Sequence, residues 1–146
     1  MLLKLNIERP KKEKLLRELA GDSFSFFERL QNKIFGSPKY DIISIEPDIF
    51  KEKPSGRICA NIEIRKNGVV IYFRFNHDEY AIATRFHQLT IMKGKNLVIQ
   101  VNTHRLLLKI SNSNQHLTFV RNLINQKAKF CGSKNDILMN SSELKT

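Results

Sequence analysis

Hydrophobic positions along this chain change period twice. Up to residue 36 they recur at helical spacing, from about 40 to 110 they alternate every second residue, and from about 115 the helical period returns. In the first stretch Leu15, Leu16 and Leu19 fall on one helical face, and Pro10 suits a first helical position. Gly21-Asp22-Ser23 interrupts. Ser25 followed by Glu28 is a capping-box pattern that opens a second helical stretch through Phe26, Phe27, Leu30, Ile34 and Phe35, closed by Gly36 and Pro38. The pattern fits two helices with a break or one bent helix. An apolar stripe on an amphipathic helix is expected in the core; the alternative for "FSFF" is a binding face.

In the middle of the chain, "YDIISIE" (40–46) reads as a strand, followed by a polar loop over 47–56. The run "RICANIEIRKNGVVIYFRFN" then predicts a hairpin with Asn67-Gly68 as a two-residue type I′ turn. That turn would pair Ile64 with Ile71, Ile62 with Phe73 and Ala60 with Phe75 on the core side. Asn61, Glu63, Arg65, Tyr72 and Arg74 would face outward. Further strands are expected at 79–84, 89–93, 97–101 and 104–110, too close together for anything but an antiparallel meander. Leu117, Val120 and Ile124, flanked by Phe119, Leu123 and Phe130, predict a helix of about four turns that ends at Gly132. The expected fold is α+β. An N-terminal helix or helices (1–36) precede a bent, seven-stranded antiparallel sheet or partly open barrel with a C-terminal capping helix (37–132), and a polar, flexible tail (133–146) follows.

Seven meandering strands closed by one amphipathic helix, and the stretch "YAIATRFHQLTIMKGKNLVIQ", resemble bacterial pleckstrin-homology-like domains over roughly residues 38–131. The resemblance implies a binding module, and in some members an anionic-lipid site in the loop between the first two strands and on the second strand. Lys51, Lys53 and Arg57 occupy that loop here. Glu63, outward on the next strand, would repel a phosphate. The helix has no tryptophan, and Phe119 stands in the place the resemblance gives to one.

Charge adds a second feature. The chain carries a net +11, and residues 79–132 hold eight Lys/Arg against Glu79 alone. Such crowding of one sign favours an anionic partner, with Arg85, Lys93, Lys95, Arg105 and Lys109 as the candidate tract. This leaves nucleic acid as the alternative to a protein or another anionic surface. Contact of the basic segment Lys11, Lys12, Lys14 and Arg17 with a membrane is a third reading, diluted by Glu13 and Glu18.

Catalytic patterns are missing from the sequence. "NHDEYAIATRFHQ" (76–88) gathers polar residues, but His77 and His87 lie at opposite ends of a predicted strand, about 20 Å or more apart. The chain has no GxSxG, no HExxH, no clustered glycines and no CxxC. Cys59 reads as a half-buried strand residue, and His104 and His116 as surface or turn residues. No window of eighteen apolar residues and no signal-peptide pattern occurs, so a cytoplasmic protein with two reduced thiols is expected. The sequence predicts a non-enzymatic interaction module without metal or cofactor.

Overall fold

The computed structural model describes residues 2–4, 9–32, 34, 36–46, 58–75, 78–92, 94–101, 104–110 and 113–131. In chain order the elements are β1 (Leu2–Lys4), α1 (Arg9–Ala20), α2 (Phe26–Asn32), β2 (Tyr40–Glu46), β3 (Cys59–Ile64), β4 (Gly68–Phe75), β5 (Asp78–Arg85), a 3₁₀ turn (Phe86–Gln88), β6 (Thr90–Met92), β7 (Leu97–Gln100), β8 (Arg105–Lys109) and α3 (Ser113–Cys131). All seven expected strands form. An eighth, β1, lies in a stretch expected to be helical and pairs with β5, Leu3 opposite Ala81. The proposed tail at 133–146 lies outside the described residues.

The antiparallel sheet runs in the order β1-β5-β4-β3-β2-β8-β7-β6 and stays open, with β1 and β6 at its edges. Two meanders, β2 to β5 and β6 to β8, are thus joined where β2 meets β8. Strand β2 pairs with β3 only at Tyr40 and Asp41, and with β8 from Asp41 to Glu46. A register shift between Ile42 and Ser44 interrupts the second ladder. The extra residue, Ile43, is half exposed, and a bulge of this kind bends the strand that carries it.

Alternation sets two packing faces. Ile62, Ile71, Ile82, Ile99 and Leu106 point to an inner face that α3 covers with Phe119, Val120 and Leu123. Val70, Ala81 and Ala83 point outward and form a second, smaller cluster with Leu16 and Ala20 of α1. The small side chains at 81 and 83 let a helix lie close to the sheet. Strand β4 is therefore covered on both faces, which accounts for its near-continuous apolar run.

The hairpin differs from the predicted register. Ile62 pairs with Ile71 and Ala60 with Phe73, two residues away from the expected partners. Arg65 N–H donates to the Gly68 carbonyl at 2.8 Å, so Lys66-Asn67, not Asn67-Gly68, occupies the bend. Gly68 is required for another reason. A Cβ there would fall on the Thr84 carbonyl oxygen of β5, whereas the positive φ among described glycines belongs to Gly21. Neighbouring segments take up the polar groups of the bend. Lys66 N–H donates to Asp22 O and Asn67 N–H to Ala20 O, while Asn67 O accepts from Phe86 N–H. Gly21, at φ 88°, lets α1 turn directly against Asn67.

Helix α3 buries Phe119, Val120 and Leu123, with Ile124 and Phe130 packed against the core, as its pattern suggested, and adds positions that the pattern did not. His116, Phe119, Val120, Leu123, Lys127 and Cys131 are buried, while Leu117 is exposed. His116 is not a surface residue: its Nδ1 lies 2.7 Å from the Tyr40 hydroxyl, and both rings are buried. At the other end Phe130 packs between Phe86 and His87, stacking on the His87 ring with centroids 6.5 Å apart.

Candidate functional site

Three large apolar side chains stand in water on α2. Phe26 is 71% exposed, Phe27 79% and Leu30 51%, against the expectation that this stripe packs in the core. Only Ile34, beyond the helix, enters the core as expected; Phe35 lies outside the described residues. The two phenylalanine rings meet edge to face with centroids 6.0 Å apart. The predicted capping box opens the helix: Ser25 N–H donates to Glu28 Oε1 at 3.1 Å and Glu28 N–H to Ser25 Oγ at 3.2 Å. Those bonds hold the exposed Glu28 carboxyl below its ordinary range, backbone bond first. Lys66 of the hairpin bend reaches Glu28 at 3.4 Å, tying α2 to the sheet.

Beside α2, along the edge of β3 that β2 leaves uncovered, lies a cavity of about 270 Å³. Its lining includes Arg29, Asn61, Glu63 and Tyr72, and touches the core residues Ile34, Ile62 and Ile64. Ser37 closes the edge at one point, donating N–H to Ile62 O at 3.3 Å and accepting Ile62 N–H on Oγ at 2.8 Å.

Glu63 accepts from every side. Oε1 takes the Tyr72 hydroxyl at 2.8 Å and Arg65 Nε at 2.9 Å; Oε2 takes Ser23 Oγ at 3.2 Å and Arg29 Nη2 at 3.4 Å. Arg65 continues the network under α1, where its guanidinium binds both oxygens of Glu13 and the Gly21 carbonyl. Burial alone would lower the Arg65 pKa; the Glu13 and Glu63 carboxylates reverse this and raise it. Burial, and then Glu63, push the Tyr72 hydroxyl up. With its lone pairs committed, Glu63 is neither a free base nor an open metal ligand. Among the described residues no cluster of three or more His, Cys, Asp or Glu forms a metal site.

Among the described residues, Arg85 lies apart from Lys95, Arg105 and Lys109. Arg85 ends β5 and donates Nη2 to the Glu18 carbonyl of α1 at 2.9 Å. Arg105 and Lys109 share a face of β8, with exposed side chains, four strands from β5 in the sheet. Each sits directly across from an acid of β2, Arg105 opposite Glu46 and Lys109 opposite Asp41. Lys95 is exposed in the turn before β7, at the Lys109 end of β8. Lys93, Lys51, Lys53, Arg57 and His77 lie outside the described residues. Cys59 and Cys131 form no disulfide, and the Cys59 thiol donates to Asp41 Oδ1 at 3.3 Å. Among the described residues no helix is long and apolar enough to cross a membrane.

Sequence reasoning did find Glu63 and Arg65 on the outward face, but not that α1 would bury Arg65. The signal was present in Ala81 and Ala83, small residues on an outward face that a helix can cover. Asn61 and Tyr72 are paired across β3 and β4, and Arg29, which carries no motif, meets them only because α2 lies beside β3. No family model matches this chain, and no curated protein or solved structure matches it either.

Proposed function

We propose that this protein is a non-enzymatic interaction module that docks a protein partner on the apolar face of α2, on a pleckstrin-homology-like plan. The observation that carries this reading is the exposure of Phe26, Phe27 and Leu30 together. A seven-residue helix is far too short to hold itself in water, so the cap at Ser25 and the Lys66–Glu28 pair fix it in place. Holding contiguous large apolar side chains against solvent costs solubility and suits a contact surface. Aromatic anchors carry most of the energy of such contacts. The net charge of +11 selects an acidic partner and speeds its approach. The order of the two meanders, with α3 over the inner face, supports the pleckstrin-homology-like part of the reading.

The alternative, nucleic acid held on the basic surface of residues 79–132, has less support. The acids opposite Arg105 and Lys109 weaken the field those cations present. Titration of duplex and single-stranded DNA should show weak binding that disappears near physiological salt, where the Debye length is about 8 Å. The docking reading is tested by quantitative capture from native lysate with wild type and the Phe26→Ser/Phe27→Ser variant. Partners that depend on α2 should be lost from the variant; a partner set unchanged by it would sink the reading.

A further inference from the structure

We propose that the outer face of β2 and β8 is a self-association surface, on which a second copy of this chain docks about a two-fold axis. The axis runs along the strands, midway between β2 and β8. This surface is separate from the α2 docking face and does not depend on it.

Helix α1 covers the outer side of the sheet at β4 and β5, through Val70, Ala81 and Ala83. Farther along the sheet, an apolar row crosses β8, β7 and β6 on that same side: Leu107 pairs with Val98, and Val98 with Met92. Ser44 of β2 stands opposite Leu107, and the bulged Ile43 beside it is 50% exposed. Its neighbours Ile42 and Ile45 turn to the core instead. Leu107 and Val98 are half-buried, and Met92 is exposed. Charges bound the row on both sides, Glu46 and Arg105 at one end of the β2–β8 ladder and Asp41 and Lys109 at the other. An apolar strip inside a polar rim is the anatomy of an interface.

Charge selects the occupant. Both acids lie on β2 and both bases on β8, at matched heights along the strands. A two-fold axis parallel to the strands exchanges β2 of one copy for β8 of the other and leaves height unchanged. Glu46 then meets Arg105 of the second copy, Asp41 meets its Lys109, and Ile43 meets its Leu107. Each acid gains a second base without leaving the one across from it in its own sheet. Such self-complementarity is what a two-fold interface requires. An axis across the strands would instead set Asp41 over Glu46 and Lys109 over Arg105, so the charges choose the axis as well. Sheets packed face to face keep their strands within about 30° of each other, which holds the rows in register close to the axis. The two sheets then stand about 10 Å apart, a gap that side chains from both copies fill. A uniformly acidic or basic partner would meet like charges on β2 or on β8.

The net charge of +11 on each copy opposes association and keeps it modest. At about 0.15 M salt the Debye length is about 8 Å, so this long-range repulsion is screened more than the contacts across the interface. The test is sedimentation equilibrium of the full chain in that salt, over a concentration series reaching about 1 mM. Wild type should dimerise reversibly, with a dissociation constant on the order of 10–100 µM. Arg105→Glu and Glu46→Lys should each weaken dimerisation roughly tenfold or more, because each sets like charges against each other across the axis. Mixing the two variants should restore the wild-type affinity to within about threefold, because opposite charges face each other again in the mixed dimer. Both side chains are exposed, and circular dichroism checks that each variant keeps the fold. Ile43→Ser, at the exposed bulge, tests the apolar row independently and should also weaken the dimer. Phe26→Ser/Phe27→Ser should leave dimerisation unchanged whatever it does to lysate capture, so this surface and the α2 face fail separately. The proposal is overturned by a wild type that stays monomeric, by association indifferent to Arg105→Glu and Glu46→Lys, by its loss in Phe26→Ser/Phe27→Ser, or by a mixture no tighter than its components.

Discussion

Arg65, only 3% exposed, is held by two carboxylates: Glu63, two residues before it on β3, at 2.9 Å and Glu13 of α1 at 3.0 Å. The pair with Glu13 fastens a helix whose apolar contact with the sheet is a small cluster around Leu16 and Ala20. Removing Arg65 would leave Glu13 and Glu63 facing each other, and Arg65→Ala should cost about 3 kcal/mol. Glu13→Gln keeps one acceptor on a half-exposed side chain and should cost about 1 kcal/mol. Urea denaturation of both variants measures the difference. An Arg65→Ala variant as stable as wild type would mean that α1 does not depend on this clamp.

Acid should loosen the same clamp. The hydrogen bond from Arg65 outweighs burial and holds the Glu13 carboxyl below its ordinary value of 4.5. The folded state therefore binds this proton less readily than the unfolded chain does. The contribution of Glu13 is complete above pH 4.5 and declines as pH falls below it. Wild type and Glu13→Gln should differ in urea midpoint at pH 7 and converge as pH falls below 4.5. A gap that stays constant with pH would place the stabilisation elsewhere.

The hairpin gives the next prediction. Because a side chain at 68 meets the backbone of Thr84 and Arg85, neither of which can rotate away, Gly68→Ala should cost on the order of 2–3 kcal/mol. Gly36→Ala is the control, since a Cβ there meets nothing within 4 Å, and it should fall within about 0.5 kcal/mol of wild type. Equal stabilities for the two variants would remove the steric role of Gly68.

That hairpin also shows what the sequence could convey. Ile62, Ile71 and Ile82 face the core because alternation fixes which side a residue points to. A slip of two residues keeps every side chain on its face, so the pattern that predicted the face could not choose between Phe73 and Ile71 as the partner of Ile62. The choice was made by contacts distant in sequence, from Ala20, Asp22 and Phe86 to the bend at Lys66-Asn67. Helix α3 has a similar lesson. Its period was legible, but His116 entered the buried stripe because Tyr40, 76 residues earlier, offers it a partner. The α2 cavity was illegible for the same reason, since Arg29 and Asn61 belong to segments joined only by the fold.

Exposure on α2 predicts a separation of stability from binding. Phe26→Ser and Phe27→Ser remove side chains that are mostly in water, so each should change stability by no more than about 0.5 kcal/mol. A core phenylalanine lost to a small residue would cost about 3–5 kcal/mol. Thermal unfolding distinguishes these values directly. A loss in the larger range would return both rings to the core.

Tyr40 and His116 allow a cleaner test, because they form one buried contact between β2 and α3. Burial pushes the Tyr40 hydroxyl up, which keeps it neutral. Tyr40→Phe should leave the ring packing intact and strip His116 Nδ1 of this partner, at a cost of about 1–3 kcal/mol. His116→Phe should strand the hydroxyl with a similar penalty. The double variant replaces both polar ends with apolar rings and should recover much of that loss, giving a coupling of about 1 kcal/mol or more in a double-mutant cycle. Strict additivity would show that the 2.7 Å contact contributes nothing beyond the packing of its two rings.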